Sequence, residues 1–210
     1  MKGRNKVIER DYDRTLRIRT TGIREWRDGS TDYNRCESTP YMALKELFKR
    51  YKLNGNDSLV DFGCGRGRVA FYIHNNFRIP VTGVEVHDTT FDEVLNNRAS
   101  YIYGFQDIEA PIRFEYGLAE HYEIRPIDNK FYFFNPFSIK IFKRVVNNIL
   151  DSIKMDRRTV DIILYYPITE YKLFLKKSTP FKLIDRIRVP EANDNKEKFL
   201  IYRIKEEDIS

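Results

Sequence analysis

The chain has 210 residues and a mass of 25.2 kDa, the size of one domain or of one domain with a short appendage. With 41% hydrophobic and 32% charged residues it has the means to bury a core, which excludes a disordered chain, and it has no apolar run long enough to span a membrane. Two cysteines, Cys36 and Cys64, are too few for a disulfide framework, no CxxC or HxxxH spacing offers a metal site, and the first residues lack the apolar centre of a secretory signal; a soluble cytoplasmic protein is expected.

The net charge of +6 gathers at the N-terminus, where positions 1–27 carry nine basic and four acidic residues. From Thr15 to Thr20 apolar and basic residues alternate as in a half-buried strand, and Thr21-Gly22 would turn it back through Ile23 to Trp26. An arginine-lined flap of this kind suits a nucleic acid or protein partner. A solvated strand face that guards a sheet edge explains the same residues. Residues 1–39 are read as a basic appendage or lid, and 40–210 as the domain proper.

Thr39 is expected to cap a first helix that begins at Pro40 and presents Leu44, Leu47, Phe48 and Tyr51 on one face. Strands then alternate with helices. Strands are expected at 58–62, 81–86, 112–116, 130–134 and 159–166, with helices after each except the third. Phe181–Val189 and Lys198–Ile204 close the chain as two strands joined without a helix, hence antiparallel. The pattern predicts an α/β fold, a doubly wound, mostly parallel sheet ending in an antiparallel hairpin.

Between the first strand and its helix lies Asp61-Phe62-Gly63-Cys64-Gly65-Arg66-Gly67-Arg68. Closely spaced glycines let the backbone turn sharply and approach a ligand that a Cβ would hold off. Arg68 stands where a dinucleotide loop needs its third glycine, and the spacing is not that of a P-loop. Glu85 ends the second strand, placed to accept both hydroxyl protons of a ribose.

This segment resembles the first motif of class I S-adenosylmethionine-dependent methyltransferases, Asp/Glu-x-Gly-x-Gly-x-Gly, and the likeness runs from about residue 40 to the C-terminus. The resemblance implies a seven-stranded, Rossmann-like sheet with S-adenosylmethionine as methyl donor and S-adenosylhomocysteine as product. It implies Asp61 near the methionine amino group, Gly63, Cys64, Gly65 and Gly67 beneath the cofactor, Glu85 on the ribose and Val86 against the adenine. Where the family often has Gly-Asp-Ala, this chain reads Gly117-Leu118-Ala119-Glu120. Leu118 accepts no hydrogen bond, which leaves the Ala119 N–H and Glu120 for the adenine. Tyr33, Thr39 and Tyr41 flank the first helix, where many such enzymes fold a segment over the methionine end, and they are expected to contact the cofactor as a lid.

Asn135-Pro136-Phe137 follows the fourth strand. It resembles the Asn/Asp-Pro-Pro-Tyr/Phe loop of enzymes that methylate amino or amide nitrogens, shortened by one proline. More loosely, it is similar to the Asn-x-Phe of histone lysine methyltransferases that lack a SET domain. A strand-ending turn that caps the next helix is the structural alternative. On the functional reading, Asn135 touches the cofactor and its side-chain carbonyl orients a neutral amine, while Phe137 faces the developing positive charge. The expectation is a methyltransferase acting on a nitrogen nucleophile, a protein side chain or a nucleic-acid base. The alternative is a catalytically silent S-adenosylmethionine-binding module that holds RNA or a protein partner.

Overall fold

The computed structural model describes residues 2–25, 32–190 and 194–209. Seven strands form one sheet: β1 (Leu59–Phe62), β2 (Val81–Glu85), β3 (Ile112–Tyr116), β4 (Lys130–Phe133), β5 (Val160–Tyr165), β6 (Lys182–Arg188) and β7 (Lys198–Ile204). Their order is β3-β2-β1-β4-β5-β7-β6, and β7 alone runs against the rest. The doubly wound parallel sheet and its antiparallel hairpin are thus as the sequence pattern predicts.

Because side chains alternate across a strand, the sheet feeds two cores. On one face Leu59, Val81, Tyr132 and Ile163 pack with helices α2 (Tyr41–Arg50), α3 (Arg68–Phe77) and α4 (Asp88–Gly104) through Leu44, Leu47, Phe71 and Val94. On the other, Val60, Phe131, Phe133 and Leu164 pack with α5 (Ile139–Met155) and α6 (Thr169–Ser178) through Val145, Ile149, Tyr171 and Leu175. Buried charges at the start of the strands are consumed structurally: Lys130 lies 3.0 Å from Asp57, and Arg203 holds Asp161 through two bonds of 2.6 and 2.7 Å.

The winding reverses between β1 and β4, so the loops after these strands diverge and leave a crevice at their carboxyl ends. Both the glycine loop and Pro136 open onto it.

The N-terminus departs from the sequence reading. Residues 2–15 form helix α1 (Lys2–Thr15), for which the sequence reading makes no provision, and 15–20 is not a strand. The alternation is nevertheless real in burial: Leu16, Ile18 and Thr20 are buried, Arg17 and Arg19 exposed. The backbone is satisfied elsewhere. Arg19 donates its N–H to the Asn97 side chain, which returns a bond to the Arg19 carbonyl, and Thr20 donates to Asp13. The return strand is reduced to an isolated pairing of Arg24 with Cys36, and Trp26 lies outside the described residues. Pro40, not Thr39, occupies the cap position of α2, and no side chain caps it.

Among the described residues no helix is long and apolar enough to cross a membrane, and no group of three or more metal-ligating side chains comes together.

Candidate active site

Asp61 sits in the middle of the sheet, paired in register with Gly83 of β2 and Tyr132 of β4. Its side chain is buried, and no described residue ion-pairs or hydrogen-bonds with it. Burial first, and then the charge of Glu85, push its carboxyl group up to about 8.

The chain then turns through Gly63, Gly65 and Gly67, all left-handed at φ +70°, +56° and +85°. Gly67 needs its bareness for packing: a Cβ there would lie 2.7 Å from Val94 and 2.8 Å from Phe71. Gly63 and Gly65 face the crevice. A Cβ on Gly63 would come within 2.4 Å of Pro136, and one on Gly65 within 2.8 Å of the Cys36 sulfur.

Glu85 is buried beside them and serves the backbone. Its carboxylate accepts from the N–H groups of Gly65, Val86 and His87 at 2.8, 2.9 and 2.9 Å, tying the glycine loop to the start of α4. An ionised carboxylate has about four lone-pair positions. Three are in use here, so one acceptor position is left for a ligand hydroxyl and not the two lone pairs that a full ribose grip would take.

A strap of residues 32–38 closes the crevice from above. Asn34 donates its N–H to the Pro136 carbonyl at 2.9 Å and its side-chain amide to the Asn135 carbonyl at 2.8 Å, Ser138 donates to the Asp32 carbonyl at 2.7 Å, and Tyr33 pairs with Phe137. Lower down, the Cys36–Arg24 pairing is locked to the glycine loop by Glu93, which takes Arg24 on one oxygen and Arg66 on the other. Burial raises the Cys36 thiol to about 11 and likewise pushes the Cys64 thiol well up, so both are neutral.

The space between strap and loop, about 50 Å³, is lined by Tyr33, Gly63, Cys64, Gly65, Glu85, Val86, Ala119, Pro136 and Phe137 among the expected residues. Asp61, two residues before Gly63, does not itself line this space, and Asn135 lines the adjoining groove.

The structure does not bring Thr39, Tyr41 or Glu120 there. Thr39 turns its hydroxyl to Tyr132 at 2.7 Å, and Tyr41 is fully buried with its hydroxyl on Asp13; both are core residues, not lid contacts. Glu120 points one oxygen at Arg144 and does not line the crevice. Phe137 is 2% exposed, edge-on to Phe133, with little ring face to offer.

The Asn135 amide carries a different signal. Its side-chain oxygen is buried and has no hydrogen-bond partner among the described residues, and its backbone is left-handed at φ +43°. Unpaired buried acceptors are costly, and strained backbone collects at functional sites. Sequence reasoning missed the strap residues Asn34, Cys36 and Ser38, since nothing local marks them; only the Arg24–Cys36 pairing puts them in register over the loop.

No protein-family model matches the chain, and no curated protein sequence matches it significantly. Solved structures do. A Pyrococcus horikoshii protein provisionally described as an RNA methyltransferase is 18% identical, covers 94% of this chain and 97% of its own, and superposes with a TM-score of 0.54. A precorrin-6y C5,15-methyltransferase from Geobacter metallireducens is 11% identical over 80% of this chain and 89% of its own, with a TM-score of 0.56. A phosphoethanolamine N-methyltransferase from Haemonchus contortus, solved with S-adenosylhomocysteine, is 11% identical over 78% of this chain and 42% of its own, with a TM-score of 0.54. The likeness is one of architecture: the chain has the fold of the class I S-adenosylmethionine-dependent methyltransferases.

Proposed function

We propose that the protein is an S-adenosylmethionine-dependent methyltransferase acting on a nitrogen nucleophile. The observation that carries this reading is Asp61: a buried carboxyl group with no partner among the described residues, on β1 two residues before the first bare glycine, at the switch point of this fold. A carboxyl in that position is suited to an ammonium group, and the amino-acid end of the donor supplies one. The residues fit the donor otherwise: Gly63 and Gly65 for close approach, Glu85 with one acceptor position for a hydroxyl, Val86 and Ala119 along the wall.

When bound, the donor supplies a methyl group already activated by its sulfonium. The chain's own residues have less chemistry to do and more positioning. Asn135 offers its unpartnered oxygen to an N–H of the acceptor and thereby aims the nitrogen lone pair. The strap excludes water. Ligand pockets for molecules of this size run to about 300 Å³ or more. The 50 Å³ between strap and loop is far less, so binding requires the strap to swing outward at Cys36 and Asn34.

Titration calorimetry with S-adenosylhomocysteine, followed by transfer of labelled methyl from S-adenosylmethionine to a cell extract, tests the proposal. Binding and labelling of a nitrogen-bearing product are expected. Binding without transfer would make the domain a nucleoside-binding module, and the absence of binding would end the enzymatic reading.

A further inference from the structure

The strap and the loop after β4 are bonded to each other. Residues 32–34 run antiparallel to 136–138: Ser138 donates its N–H to the Asp32 carbonyl, Tyr33 pairs with Phe137, and Asn34 donates its N–H to the Pro136 carbonyl. The Asn34 side chain reaches one residue further and donates its amide to the carbonyl of Asn135 itself, at 2.8 Å. These two residues stand 101 positions apart in the chain, so only the closed strap brings them together.

Asn135 is the residue in that loop that needs a hold. Its backbone is left-handed at φ +43°, a conformation few residues other than glycine adopt. Its side-chain oxygen is buried and has no hydrogen-bond partner among the described residues, so that oxygen has no bond of its own to fix its direction. What is fixed is the backbone that carries it. The Asn34 side chain holds the Asn135 carbonyl and the Asn34 N–H holds the carbonyl that follows.

The same strap covers the donor space. Tyr33, Asn34 and Arg35 line both the crevice, too small at about 50 Å³ to take the donor until the strap lifts, and the open groove where Asn135 lies. Lifting the strap at Asn34 breaks its bond to Asn135, and closing it over a bound donor remakes that bond. We infer that Asn34 is a positioning residue: with the strap closed on the donor, its side-chain amide sets the Asn135 backbone, so that the acceptor is oriented only after the donor has bound. That Asn135 then orients the acceptor nitrogen rests on the function proposed above. A bond that only braced the strap would act on donor affinity, whereas one that works through Asn135 acts on the transfer step.

The test uses two variants of the full chain. Asn34→Asp keeps the side chain's size and the backbone bonds but turns an acceptor toward the Asn135 carbonyl, and Asn34→Ala removes the side chain. Each should slow transfer of labelled methyl from S-adenosylmethionine to a cell extract about tenfold or more, with S-adenosylhomocysteine affinity within about threefold of the wild type. In an Asn135→Gly background the same substitutions should cost less than about twofold, because the group they position is gone. A tenfold loss in that background, equal losses of transfer and affinity, or transfer at the wild-type rate would overturn the proposal. The Cα and Cβ chemical shifts of Asn135, which report its φ, give a readout without turnover. They should be left-handed in the wild type and relax toward negative φ in both variants; left-handed shifts retained in both would overturn the proposal as well. If the wild type binds no S-adenosylhomocysteine or transfers no methyl, the methyltransferase reading falls, and the Asn34 proposal is then decided by the Asn135 shifts alone.

Discussion

Arg68 reaches from the first turn of α3 to Glu9 of α1, so the residue that closes the glycine loop also anchors the N-terminal helix. The guanidinium further bonds Thr20 at 2.7 Å, lies 3.8 Å from Asp13, and stacks over the Tyr41 ring at 4.5 Å. Nearly all of it is buried. Burial raises the Glu9 carboxyl and the Arg68 charge opposes that rise. Removing one partner of such a group strands the other's charge, which typically costs about 3–5 kcal/mol. Arg68→Ala should therefore destabilise the protein by that amount in urea unfolding. A loss below about 1 kcal/mol would show that the helix is not held this way.

Asp61 gives a pH signature with a defined sign. Its folded-state value of about 8 lies above the usual 3.8, so the native state binds more protons than the unfolded chain between those limits. Stability from this group is full below about pH 4 and falls as pH rises to about 8, at ~1.4 kcal/mol for each pH unit in between. Asp61→Asn removes the slope, so the variant should gain on the wild type progressively from pH 5 to pH 8. Parallel melting profiles would contradict the assignment.

The same group links pH to ligand. Only the ionised carboxylate pairs with an ammonium, so S-adenosylhomocysteine should bind more tightly as pH rises toward 8, releasing close to one proton at pH 7. Calorimetry in buffers of different ionisation enthalpy measures that proton, and it should vanish in Asp61→Asn.

Gly63 and Gly22 separate strain from space. Both are left-handed, at φ +70° and +104°, but an added Cβ meets Pro136 at 2.4 Å in the first case and nothing within 4 Å in the second. Gly22→Ala should cost about 1–2 kcal/mol for the backbone alone. Gly63→Ala should add roughly 1–3 kcal/mol of overpacking and abolish S-adenosylhomocysteine binding. Equal losses in the two variants would mean that Pro136 yields freely.

Asn135→Gly keeps the left-handed backbone and removes the amide. If Asn135 orients the acceptor, single-turnover methyl transfer should slow about 100-fold or more while S-adenosylhomocysteine affinity changes less than about threefold. Matched losses in both would place Asn135 on the donor instead.

How much of this was legible follows from where each residue finds its partners. The β–α alternation, the glycine loop and Glu85 at the end of β2 show in the sequence because periodicity and turn chemistry are local. Helix α1 does not: its Glu9 and Asp13 face Arg68, fifty-odd residues away, and Tyr12 stacks on Tyr41, partners that no local pattern names. Thr39 has the chemistry of a cap, but Tyr132 competes for its hydroxyl.

The amino-acid order alone determined that a bare loop and two acids stand at adjacent strand ends, since strand order and hydrophobic pattern leave few other arrangements. Tertiary structure decided what those acids do and what lies above them. Asp61 is left without a partner among the described residues, Glu85 is absorbed by three backbone N–H groups, and the 32–38 strap is laid over the glycine loop. The reason is physical: a buried polar group takes the partner nearest in space, and that partner is set by long-range packing that no local pattern encodes.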